Sequence, residues 1–121
     1  MMNNQIKNEE LYYKHKEELK NRFEYSDIVR GEYIRPYNVE LLNEENNTFN
    51  NEEVTDLYFS VTDPFYGILY KQFIRKNNKG KIISYECSCD NFQMHSSCTH
   101  LVGVIRWYSY LIFLEKLSIE E

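Results

Sequence analysis

The sequence predicts an α+β domain, in which N-terminal helices lead into a small antiparallel β-sheet with a hairpin, then a zinc knuckle and a C-terminal helix. Three observations carry that prediction. Apolar or amphipathic residues recur every four positions at Leu11, His15, Leu19 and Phe23, the spacing of one helix face. Short β-type runs separated by turn residues fill the middle of the chain. All three cysteines fall in one twelve-residue stretch, Cys87-Ser88-Cys89 and then Cys98-Thr99-His100, between the last β run and a strongly apolar segment.

The first helix is expected from Asn8 to Phe23, with Glu and Lys on its other faces. Ser26 reads as the cap of a second, short helix over Asp27–Tyr33, which Gly31 and Pro36 bring to an end. At 121 residues the chain is one domain by size, with residues 1–25 as a helical segment and residues 26–121 as the zinc-stabilised part. After Pro36, β runs are expected at Asn38–Leu42, Asp56–Val61, Tyr66–Ile74 and Lys81–Glu86. The Asn- and Glu-rich stretch Asn43–Glu53 between the first two reads as a surface loop. Asn77-Asn78-Lys79-Gly80 is a turn signal, so the last two runs should pair as an antiparallel hairpin.

That hairpin leads directly into Cys87. Side chains alternate along a strand, so Lys81, Ile83, Tyr85, Cys87 and Cys89 share a face while the chain stays extended. Cys98 and His100 cannot both be helical and face one point, because two helical steps rotate by about 200°. Cys98 therefore precedes the helix and His100 lies in its first turn. Ser97 or Thr99 could cap that helix, and its positive end would lie near the thiolates.

The four residues Cys87, Cys89, Cys98 and His100 form a C-x-C-x8-C-x-H set. Zinc takes thiolate and imidazole ligands in short pairs separated by a loop, and here no cysteine is left over. A full protein ligand set closes the metal to substrate, which points to one structural Zn2+ and not to an enzyme. The deaminase pattern H-x-E…P-C-x-x-C is absent, and thiol redox chemistry conflicts with zinc holding the thiolates. His95 is a competing imidazole, three residues before Cys98. His15 reads as an ordinary helix residue.

Composition sets the remaining bounds. Hydrophobic content of 42% with eleven tyrosines argues for a folded chain. Met1–Glu10 holds no apolar leader, so the expected setting is intracellular, cytoplasmic or, in a eukaryote, nuclear, with reduced thiols. The apolar segment Leu101–Leu114 is interrupted by Arg106 and is shorter than the ~20 residues that span a bilayer, so a buried helix is expected and no membrane partner. Its Gly103, Arg106 and Ser109 read as a thin polar stripe; Trp107, Tyr110, Ile112 and Phe113 read as surface for a partner.

The motif and its flanks, Tyr85-Glu86-Cys87-Ser88-Cys89-Asp90-Asn91-Phe92 and Cys98-Thr99-His100-Leu101-Val102-Gly103-Val104-Ile105, resemble the SWIM zinc finger, covering roughly residues 66–108. Val29-Arg30-Gly31-Glu32-Tyr33 is more distantly similar to the region preceding that motif in bacterial Swi/Snf-type helicases. No G-x-x-x-x-G-K-[ST] phosphate loop occurs, so no motor accompanies it. The resemblance implies zinc binding and a role in binding nucleic acid or protein.

Net charge is −5, and the front half carries the acid: thirteen Asp and Glu against seven Lys and Arg in residues 1–60, six against seven after it. On the hairpin, Lys71, Arg75, Lys76, Lys79 and Lys81 alternate with Tyr66, Tyr70 and Phe73, a pattern that serves phosphates and bases. The leading expectation is therefore nucleic-acid binding, DNA foremost. An adaptor for a helicase, a recombinase or a similar DNA-processing protein is the alternative, and no small-molecule substrate is expected.

Overall fold

The computed structural model of the chain describes residues 17–120, with side chains through residue 110. Its sheet is a four-stranded antiparallel meander, β1 (Val39–Phe49), β2 (Glu52–Thr62), β3 (Leu69–Asn77) and β4 (Ile82–Cys87), hydrogen-bonded in chain order. A helix at residues 17–22, called α1, and α2 (Tyr25–Gly31) precede the sheet, with a 3-10 turn at Pro36–Asn38 between. After β4 come the short α3 (Asp90–His95) and the long α4 (Thr99–Glu120). The α+β expectation holds. Of the first predicted helix, Leu11 and His15 lie outside the described residues, while Leu19 and Phe23 are core.

Two turns set the strand register. Asn50 and Asn51 both have positive φ, 52° and 66°, the conformation of a two-residue primed turn that asparagine tolerates. Phe49 then pairs with Glu52, and the ladder runs unbroken back to Asn43. This corrects the loop expected over Asn43–Glu53: backbone pairing with β2 extends a strand through residues whose side chains stay exposed. Polarity marked the exposed side chains, not the backbone state. At the other hairpin, Asn77 Oδ1 accepts the N–H groups of Lys79 and Lys81, both at 2.9 Å, and β3 pairs with β4 as expected.

The register of that second hairpin shifts between Arg75 and Lys76, setting Lys76 opposite Ile82 and Arg75 opposite Ser84. The shift corrects the expected face. Ile82 turns inward and is buried, whereas Ile83 is 38% exposed; a bulge inserts one residue and re-aims its neighbours. Tyr85 and Cys87 return to the inner face opposite Ile74 and Gln72. β3 itself begins at Leu69, later than predicted, because Asp63–Ile68 forms a turn in which Gly67 takes φ 70°.

The inner face of the sheet, with Leu57, Phe59, Val61, Ile74 and Ile82, packs on Leu101, Val104 and Ile105 of α4. Tyr108 of α4 meets Phe59 edge-on, with ring centroids 5.3 Å apart. The far side of α4 packs against α2 and the segment after it. There a Cβ at Gly103 would come within 2.6 Å of Ile34, so glycine permits this approach. The expected polar stripe on α4 is thus corrected: Gly103 and Ser109 are buried, and Arg106 is half-buried. Trp107 is also half-buried, its Nε1–H donating to the Ile34 carbonyl. The side chains of Ile112 and Phe113 lie outside the described residues.

Ser26 does not cap α2. Glu24 occupies the N-cap position without a side-chain bond, Ser26 is the second residue of the helix, and Asp27 after it is buried. Among the described residues no helix is long and apolar enough to cross a membrane.

Candidate metal centre

Cys87, Cys89, Cys98 and His100 come together with their ligand atoms all within 4.8 Å of one another. Each arrives from a different local structure. Cys87 ends β4, opposite Gln72 of β3; Cys89 is the extended N-cap residue of α3, with φ −76° and ψ 155°. Cys98 immediately precedes α4, and His100 is that helix's second residue. The strand, knuckle, loop and helix expected from spacing are present, with α3 forming a turn of helix inside the loop. Ser96, at φ 57°, ends α3 and turns the chain back toward the site.

The caps differ from expectation. Cys98 Sγ accepts the Leu101 N–H at 3.3 Å, so the sulfur itself takes the role of helix cap. Ser97 and Thr99 instead hold Asp27 of α2: Ser97 Oγ donates to its Oδ2 at 2.5 Å and Thr99 Oγ1 to its Oδ1 at 3.1 Å. Asn91 braces the same loop through the Ser97 carbonyl at 2.6 Å. The two residues flanking Cys98 are thus pinned by one buried carboxylate from a distant helix.

The separations approach those around a bound ion. His100 Nδ1 lies 3.8 Å from Cys87 Sγ and 3.9 Å from Cys98 Sγ. Zinc bound at about 2.3 Å to sulfur and about 2.0 Å to nitrogen separates its ligands by about 3.5–3.8 Å. All four residues are buried and all three cysteines are free thiols, not disulfides.

The electrostatics point the same way. A hydrogen bond from Cys98, aided by His100 and Gln72, lowers the Cys87 pKa to about 4 despite its burial. Donation to that thiolate and burial push Cys98 far up, and burial raises Cys89. Three thiols in one buried spot can share only one negative charge easily. A divalent cation removes that restriction and takes the place of the remaining protons. The donor set, three sulfurs and a neutral imidazole, is the soft set that zinc selects.

His100 Nε2 faces Asp63 Oδ2 at 2.8 Å, and the Tyr70 ring stacks on the imidazole with centroids 4.5 Å apart. Burial opposes charge on His100, but its bonds to Cys87 and Asp63 outweigh that and raise its pKa. Burial likewise opposes the Asp63 carboxylate. The His100 ring and the Phe65 and Tyr66 N–H groups overcome it, so its pKa falls. Neither Asp63 nor Asp27 was singled out from the sequence as part of the site. Asp63-Pro64 has the composition of a turn and nothing that marks a metal site, and Asp27 reads only as the start of a helix. His95 is exposed on α3 and stands outside the donor cluster.

A cleft of about 500 Å³ opens beside the ligands, walled by Asp27, Arg30, Asp63, Tyr66, Tyr70 and Asp90 among others. The basic residues of the hairpin do not meet on one surface. Lys71, Lys79 and Lys81 are exposed. Arg75 forms a two-pronged ion pair with Asp56 on the outer face of the sheet, at 2.7 and 3.0 Å. Lys76 points to the inner face, its Nζ 5.1 Å from the Tyr108 ring centroid, and burial lowers its pKa. The tyrosine and phenylalanine interleaved with them divide in the same way: Tyr70 faces His100, and Phe73 pairs with Tyr58 on the outer face.

No protein-family model matches the chain, and neither does any curated protein or solved structure.

Proposed function

We propose that the chain is a SWIM-type, zinc-stabilised binding module acting inside the cell, and that its zinc is structural. The observation that carries this is the ligand set: three cysteine sulfurs and one imidazole stand within 4.8 Å of one another, the four donors of a closed tetrahedral site with no position left for substrate. The metal's work is to join β4 to α4, and no catalysis is assigned to it. A protein partner is the reading the surface favours. Tyr33 and Phe65 meet edge-on at 5.6 Å, and with Tyr66, Ile68 and Leu69 they leave five large apolar side chains at least half exposed near the cleft. Three carboxylates and the thiolates give that cleft a negative field, which repels phosphates and receives basic side chains.

Nucleic acid, with DNA as the leading class, is the second reading, and exposed Lys71, Lys79 and Lys81 favour it. One pair of measurements separates the two. In an adaptor, Phe65→Ala with Tyr66→Ala releases the partner recovered with the tagged chain from its native cells and leaves zinc content intact. Binding to single- or double-stranded DNA or RNA stays weak at all salt concentrations. A nucleic-acid affinity that falls steeply with salt and is lost on reversing the three lysines to Glu overturns the adaptor reading.

A further inference from the structure

We infer that Asp63, from the turn between β2 and β3, is a positioning residue of the metal centre, selecting the His100 tautomer that can ligate. The inference rests on the zinc reading above. Imidazole can give a metal only the nitrogen that carries no hydrogen, and in neutral histidine one ring nitrogen carries it. His100 turns Nδ1 toward the sulfurs of Cys87 and Cys98. Nε2 must then hold the hydrogen, and it meets Asp63 Oδ2 at 2.8 Å. A carboxylate only accepts, so this contact fixes the hydrogen on Nε2 and leaves the Nδ1 lone pair directed into the cluster.

The carboxylate is itself fixed. Its other oxygen, Oδ1, accepts the N–H groups of Phe65 at 2.7 Å and Tyr66 at 3.0 Å. The Asp63 backbone is held by Ile68 and Gly67, each at 2.8 Å. Asp63 and His100 are both buried, so water competes little for the bond. Tyr70, stacked on the ring, limits its rotation about the Nε2 contact. One carboxylate thus does two separable jobs, with one oxygen for the turn and one for the ligand.

That division supplies the experiment. Asp63→Asn keeps a carbonyl for the two backbone N–H groups but sets an amide N–H₂ against Nε2–H, donor to donor. Flipping the amide to satisfy His100 would strand two backbone donors instead of one ring donor. Asp63→Ser is the second variant, able to cap the turn with a hydroxyl but too short to reach the imidazole. Zinc affinity is measured by competition with a chromophoric chelator, and the hydrogen bond from His100 Nε2–H to residue 63 by ¹H–¹⁵N NMR of the ring in the zinc-loaded chain. Wild type is expected to bind one zinc with the hydrogen on Nε2. Both variants should bind roughly 10–100-fold more weakly, the usual cost of removing such a partner, with the His100 Nε2–H signal lost or shifted. Wild-type affinity in both variants overturns the role of Asp63 and leaves the metal centre standing. So does weaker binding with an unchanged Nε2–H signal, which would make Asp63 a turn residue alone. A wild-type chain that binds no zinc overturns the underlying reading as well.

Discussion

The two faces of the sheet each bury a carboxylate from the same stretch of chain, and the two are used differently. On the outer face Asp56, in β2, is 1% exposed and locked to Arg75 by two bonds, with Asn47 on one oxygen and the Phe49 ring 4.6 Å from the guanidinium. On the inner side Asp63, just past β2, meets a histidine whose other nitrogen faces three sulfurs. Arginine carries its charge at every accessible pH and offers a rigid fork, so the outer pair is a fixed cross-link between β2 and β3. Histidine has a choice of proton positions, so the inner carboxylate can influence what the ring does. A strong, saturated pair belongs to architecture; a partner with a second free nitrogen belongs to a site.

The comparison breaks most visibly at the metal. Cys98→Ser removes a ligand and the sulfur that caps α4, so zinc release should separate β4 from the helix while β1–β3 and the outer pair between β2 and β3 persist. Structural zinc contributes apparent binding free energies of about 10–16 kcal/mol in small zinc domains, part of which is folding free energy. The expected result is a zinc content near zero and a melting temperature lower by tens of degrees. Zinc-free protein with wild-type thermal stability would show that the inner region does not depend on its ion.

On the outer face the expected effect is smaller. Arg75→Ala leaves the Asp56 charge, itself 1% exposed, without its partner, so the denaturation midpoint should fall, though by less than on losing zinc. Replacing both partners, Asp56→Leu with Arg75→Met, should recover most of that loss. Denaturant unfolding of the two proteins tests this, and zinc affinity should stay unchanged in both. A loss of zinc binding in Arg75→Ala would mean that the faces are coupled through β3.

The sequence made the metal ligands legible because their chemistry is local: four donors in fourteen residues, with strand and helix signals on either side. It left Asp63 and Asp27 unread because the partners that tie them to the site are 37 and 64 or more positions away. Only the turn after β2 and the packing of α2 on α4 bring them in. The β1 strand was hidden for a different reason. Asn43, Glu44, Glu45, Asn46 and Asn47 have no apolar alternation, since no layer covers them, and only the Asn50-Asn51 turn pairs them with β2. The basic hairpin looked like one patch because sequence neighbours on a strand point to opposite faces. Arg75 and Lys76 are adjacent in the chain, and one meets Asp56 while the other meets Tyr108.

The smallest effect expected is also the one that separates the two carboxylates by pH. The bond to Arg75 is the main cause that holds the Asp56 pKa below its usual value, and it outweighs the opposing cost of burial. A carboxylate depressed in the folded state stabilises the fold above its unfolded pKa, about 3.9, and loses that contribution as pH falls through the lower folded value. Asp56→Asn removes the titration without removing the side chain. The difference in unfolding free energy between wild type and Asp56→Asn should therefore be constant above about pH 5 and shrink below about pH 4, when both are measured as zinc-free protein. Because Arg75 stays charged throughout, the whole change belongs to Asp56. A difference that instead varies between pH 5 and 8 would place the titrating group among the histidine and thiols, and the outer pair would no longer be the fixed member of the comparison.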